Sequence, residues 1–119
     1  MDKAIVLGAG FNAYSLIRSF GSSQIDVVLL SYKKSDFARR SKFVCQRYRV
    51  PYPGTDRTGL LNFFLNHAKT FKDGFLIGSD DPSVTFISQN REVLSKQLFV
   101  AHESWKVIGR IINKHRLYK

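Results

Sequence analysis

Apolar and polar residues alternate along the chain in short blocks. The first block, residues 4–7, is a continuous apolar run bounded by Gly8, the pattern of a strand buried on both faces. Ala13, Leu16, Ile17 and Phe20 then recur at helical spacing, with Gly21 where a helix C-cap is wanted. Residues 25–30 form a second apolar run. A strand, a helix and a strand in so few residues predict a right-handed parallel crossover. Residues 35–41 predict a short helical turn, and Phe43, Cys45, Tyr48 and Val50 a third strand that ends at Pro51. A helix is expected over residues 57–71, with Leu60, Leu61, Phe64, Leu65 and Ala68 on one face and Asp56 placed to cap it. Gly74 should break that helix before a fourth strand at residues 75–77, closed by Gly78. Ser79, Asp80, Asp81 and Pro82 read as a helix start, with an acidic cap ahead of proline. That helix is expected to run to Lys96 on a stripe of Val84, Ile87 and Leu94. A short fifth strand follows over residues 98–101, and Ser104 caps a last helix through Trp105, Ile108, Ile111 and Ile112.

Strands alternating with helices predict an α/β fold: a three-layer, Rossmann-like open parallel sheet of about five strands with helices on both faces. The 119 residues and 44% hydrophobic content suit one compact domain. A domain of this size can fold on its own apolar core, without disulfides or a structural metal. Cys45 is the sole cysteine, so it has no internal partner and no second thiolate for a zinc site. With no apolar leader and no run of about 18 apolar residues, the expectation is a cytoplasmic protein that does not enter a membrane.

Charge changes the picture more than composition does. The 19 basic residues outnumber the 9 acidic ones, for a formal charge of +10. They concentrate at Lys33, Lys34, Arg39, Arg40, Lys42, Arg47 and Arg49, and again at Lys106, Arg110, Lys114, Arg116 and Lys119. Interleaved apolar residues mark both stretches as folded elements with a solvated basic face, for which phosphate-bearing partners are the natural class.

Gly8, Gly10 and Ala13 satisfy a G-x-G-x-x-A pattern between a strand and a helix. Its functional use would be a tight turn at Gly8, close approach of a ligand to Gly10, and N–H groups at the helix start that favour an anion. Its structural use is close packing of helix on strand. A dinucleotide site normally adds an acidic ribose ligand at the end of the second strand, but Leu30, Ser31 and Tyr32 stand there. Lys33 and Lys34 could meet the 2′-phosphate of NADP instead, so an NADP-binding domain of a reductase or regulatory protein is the alternative. Asp80 and Asp81 lie at the edge where such sheets gather ligands, although helix capping also accounts for them. His67, His102 and His115 are isolated and make no metal site. Phe37, Phe43 and Tyr48 within the first basic stretch allow a third reading, a nucleic-acid surface, but no known nucleic-acid motif accompanies them.

Several landmarks together resemble the amino-terminal domain that precedes the ATP-grasp fold in carbamoyl-phosphate-synthase-like and D-aspartate-ligase-like carboxylate–amine ligases. They are Val6 through Gly10 with Asn12 and Arg18 to Gly21, the Ala38 to Lys42 stretch leading to Val50 and Pro51, and Leu76 through Asp81 followed by Ile87, Ser88, Asn90, Arg91 and Leu94. Asn113, Lys114, Arg116, Leu117 and Tyr118 are similar to the segment that introduces the ATP-grasp domain, with Asn113 where an acidic residue is usual. The resemblance implies a pre-ATP-grasp domain over residues 1–112 and the start of the linker at residues 113–119. It also implies that the rest of the ligase, the partner of this domain, lies beyond Lys119. The whole enzyme would use ATP and magnesium to activate a small carboxylate as an acyl phosphate, which an amine then attacks. This part would wall the active site without being catalytic itself. Gly8, Gly10, Asn12, Arg18, Asp80, Asp81 and Lys114 are the residues expected to contact nucleotide or substrate, with Lys114 reaching ATP phosphate. Whether the domain pairs with a second copy is left open.

Overall fold

The computed structural model describes residues 3–8, 10–33 and 37–100. Strand β1 (Lys3–Leu7) leads through the glycine turn into helix α1 (Phe11–Ser22), and β2 (Asp26–Ser31) follows. A single 3-10 turn (Phe37–Arg40) precedes β3 (Val44–Arg49). Helix α2 (Arg57–Asn66), strand β4 (Phe75–Gly78), helices α3 (Asp81–Gln89) and α4 (Arg91–Leu94), and strand β5 (Phe99–Val100) complete the described chain. All strand pairs are parallel, in the order β3-β2-β1-β4-β5. The fold is therefore the expected Rossmann-like α/β sheet.

Alternation along the central strands explains why both faces need helices. Ala4 and Val6 of β1, with Val27 and Leu29 of β2, pack under Ala13, Leu16, Ile17 and Phe20 of α1. Ile5 and Leu7, with Val28 and Leu30, point the other way, against Leu60 and Phe64 of α2, Phe86 and Ile87 of α3, and Leu94 of α4. Removing a fully buried side chain of this kind from water contributes about 1.5–3 kcal/mol, which is why these strands read as unbroken apolar runs. Among the described residues, no helix is long and apolar enough to cross a membrane.

The elements depart from the sequence expectation at five points. Helix α1 runs one residue past Gly21, and the left-handed conformation falls on Gln24, with φ 62°. Gly21 is small for another reason: a Cβ there would collide with the ring of Phe43. In β3 the pairing passes from Val27 with Val44 to Val28 with Gln46, so Cys45 is a bulged, exposed residue rather than a core one. Helix α2 stops at Asn66, because the chain turns at His67, whose ring nitrogen Nδ1 lies 2.8 Å from the carbonyl of Phe63. Leu65 is left 48% exposed, outside the predicted stripe. The expected long third helix is broken at Asn90, whose side-chain amide donates to the carbonyl of Phe86 at 2.9 Å and so competes with the helical ladder. The buried stripe there is Ser83, Phe86, Ile87 and Leu94, and Val84 faces out at 50% exposure. Finally, β5 has only two residues. The expected helix from Ser104 and the position of Lys114 lie outside the described residues.

Candidate functional site at the carboxyl edge of the sheet

The strand order places the fold's switch point between β1 and β4. From β1 the chain builds outward to β2 and β3, then returns to lay β4 on the other side of β1. The connections on the two sides diverge at the carboxyl ends of β1 and β4, where open α/β sheets leave a ligand crevice. Gly8 follows β1 and Ser79 with Asp80 follow β4, so both sequence-predicted turns meet there.

Hydrogen bonds hold that meeting point closed from below. Gly8 N–H donates to the carbonyl of Leu30 at 3.0 Å, extending the parallel ladder. The buried Ser79 donates twice to the carbonyl of Leu7, from its N–H at 2.9 Å and its hydroxyl at 2.8 Å. Gly8 has φ +103°, a conformation closed to residues with a side chain. A Cβ at Gly8 would overlap Ser79 Oγ and stand 2.8 Å from Asp80 Oδ2. The Asp80 carboxylate thus lies directly against the glycine turn.

Its orientation follows from capping. Asp80 Oδ1 accepts from the N–H of Ser83 at 2.8 Å, while the Asp80 N–H donates to Ser83 Oγ at 3.1 Å, a reciprocal box at the start of α3. One carboxylate oxygen is therefore committed to the helix and the other faces Gly8. Asp81 is exposed on the first turn of α3. Across the crevice, Gly10 caps α1 in an extended conformation with open space where its side chain would be, and Asn12 is exposed in the first turn of the helix. No side chain caps α1 and its first turn carries no acid.

Tyr32 completes the arrangement. It follows β2 at the place of the usual ribose acid, but its phenol turns inward beside Asp80 and Ser83, and its ring meets Tyr52 edge-on at 5.1 Å. Burial, followed by the negative charge of Asp80, pushes its pKa well above the ordinary tyrosine value of 10.0. Tyr32 is thus a neutral donor throughout the physiological range. The raised pKa also sets a pH dependence. The unfolded chain releases this proton near pH 10.0 while the folded state keeps it, so the stability Tyr32 contributes is complete below that pH and is lost as pH climbs above it. Urea unfolding at a series of pH values from neutrality upward should show a steeper alkaline loss for the native chain than for Tyr32→Phe. Parallel curves would remove the buried phenol from the account.

Gly8, Gly10, Asn12 and Asp80 are brought to one edge, with Asp81 beside them. Arg18 is not: it lies about 12 Å further along α1, the rise of eight residues, toward the opposite end of the sheet. Sequence reasoning did not single out Tyr32 or Ser83. The D-x-x-S spacing of residues 80–83 carries the signal for Ser83. The signal for Tyr32 is its place immediately after a buried strand.

Charge decides what the crevice can hold. A phosphate about 4 Å from the Asp80 carboxylate would be opposed by about 4 kcal/mol at an effective dielectric near 20. The N-terminus of a helix returns only about 0.3–1 kcal/mol. A pyrophosphate seated on Gly8 is thus disfavoured, and an ammonium or hydroxyl donor is favoured. Among the described residues no three potential metal ligands cluster. No known protein family, curated protein or solved structure matches the chain.

Proposed function

We propose that this chain is the supporting Rossmann-like domain of an ATP-dependent carboxylate–amine ligase, and that its carboxyl edge helps hold the amine substrate. The observation that carries this reading is the Asp80 carboxylate, fixed by Ser83 against the glycine turn at the switch point. An ammonium group there would gain a charge-assisted hydrogen bond, roughly twice as strong as a neutral one. The exposed amide of Asn12 and the open backbone at Gly10 leave room for the rest of the molecule. ATP, magnesium and the activated carboxylate would be bound by the ATP-grasp part of the enzyme. The NADP reading gains no support, because Asp80 opposes the pyrophosphate at the very turn that would bind it.

Two measurements test the proposal. The coding sequence should continue past Lys119 for about 200 residues or more with an ATP-grasp pattern, an added domain's length. A stop codon there overturns the ligase assignment. Titration of the chain with a primary amine, with ATP and with NADPH, followed by amide NMR, should show saturable shifts at Gly8, Asp80 and Tyr32 for the amine alone. Asp80→Asn should weaken that binding about tenfold or more, the loss of one charge-assisted contact. Saturable NADPH binding centred on Gly8 and Gly10 would establish the dinucleotide reading in its place.

A further inference from the structure

We infer that a basic hollow at the opposite, amino end of the sheet is a binding site for a phosphate group. It lies between the second half of α1 and the turn that leads into β3, and is lined by Tyr14, Arg18, Ser22, Ser41, Lys42 and Phe43. Arg18 and Lys42 are exposed cations on its two walls, and among the described residues no carboxylate lines it. Two like charges facing one cleft attract an anion that can meet both.

The hollow is built, not merely charged. The Phe43 ring packs onto the backbone of α1 at Gly21, where an added Cβ would collide with it. Lys42 lies over that ring, its ammonium 5.3 Å from the centroid. Ser41 is 4% exposed, and its hydroxyl accepts from the N–H of Phe43 at 3.3 Å, which leaves the hydroxyl hydrogen for an acceptor. Arg47 fixes the same turn from behind, donating to the carbonyls of Ser41 at 3.0 Å and Arg39 at 2.7 Å. Helix and turn are thereby locked at a set separation, with Arg18, Lys42 and two serine hydroxyls as donors.

The negative end of α1 points toward this hollow and would oppose an anion. Its last carbonyls, however, are already engaged: Phe20 accepts from the N–H groups of Ser23 and Ile25, and Gly21 from that of Gln24, each at 3.0 Å. Two full positive charges outweigh what remains of the helix dipole. The ring of Phe43 has Lys42 over it and packs against α1 at Gly21, which leaves it little room to stack a base. A compact phosphate suits the hollow better than a nucleic-acid strand. The site is independent of the amine site proposed at the other edge.

Calorimetric titration of the chain with inorganic phosphate should show saturable binding at about millimolar concentration, the strength that a few charge-assisted contacts on an open surface provide. Arg18→Gln and Lys42→Gln should each weaken it about tenfold. Lys69→Gln, which removes a charge from the turn after α2, should leave it unchanged. Competition by AMP that matches or exceeds that of inorganic phosphate would mean the group arrives on a larger molecule, and weaker competition that it arrives as the free ion. Either result supports the site. Three results overturn it: no saturation, an equal loss in Lys69→Gln, or preferred binding of oligonucleotides with affinity that rises with length and collapses with salt.

Discussion

Gly8→Ala is expected to destabilise the protein by about 3 kcal/mol or more and to lower its melting temperature by about 10 °C. Two costs combine at this position. Alanine must adopt a φ of +103°, and its methyl group must displace Ser79 Oγ and approach Asp80 Oδ2. Neither neighbour can yield freely, since Ser79 holds the end of β1 and Asp80 caps α3. Gly10→Ala provides the contrast. Its φ is −84° and nothing stands within 4 Å of the added Cβ, so only the weaker N-cap that alanine makes is lost, a cost of about 1 kcal/mol or less. Thermal and urea unfolding of the two variants would separate a glycine required by the fold from one whose missing side chain the chain itself does not need. A Gly8→Ala protein as stable as the native one would refute the steric account of the turn.

Phe86→Ala should cost about 3–5 kcal/mol, a fifth or more of the roughly 5–15 kcal/mol stability of a typical small domain. Phe86 is 1% exposed and stacks on Phe64, with ring centroids 5.9 Å apart and planes 22° from parallel. That pair joins α2 to α3 across the face of the sheet that also carries Ile5 and Leu7. Because α3 carries the Asp80 cap at its first turn, a loosened helix should also disturb the crevice. The urea midpoint reports the first effect and the amide shift of Gly8 the second. Phe86→Leu, which keeps much of the volume, should lose no more than about 1.5 kcal/mol. If alanine and leucine proved equally mild, the stacked pair would not be the anchor of α3.

The layout of the fold was legible because its central strands are buried on both faces and announce themselves as apolar runs. An acidic cap at this helix start was legible for a similar reason, but not which aspartate serves: proline at the first helical position points to Asp81, whereas α3 begins at Asp81 and Asp80 caps it. What escaped detection depends on partners distant in the chain. Cys45 fits the alternation of a strand until the pairing with β2 shows it to be the bulged residue. Gly21 reads as a helix terminator until Phe43 is found packed upon it. Val84 lies at a helical spacing from Ile87, yet the helix presents its neighbour Ser83 to the core, a buried serine satisfied by the Asp80 box. The same holds at the crevice. Gly8 and Asp80 lie 72 residues apart, and only the sheet order sets one against the other, with Tyr32 brought in from a third strand.

The bulge in β3 has a wider consequence. Among the described residues β3 borders the sheet, and an uncovered border strand invites a second copy to extend the hydrogen-bond ladder, the first step toward aggregation. The irregular register at Cys45 spoils the straight row of donors and acceptors that such pairing needs. Arg47 and Arg49, exposed on the same strand, would meet the arginines of any copy that approached edge to edge. Backbone geometry and like charge both work against edge-to-edge pairing at this strand.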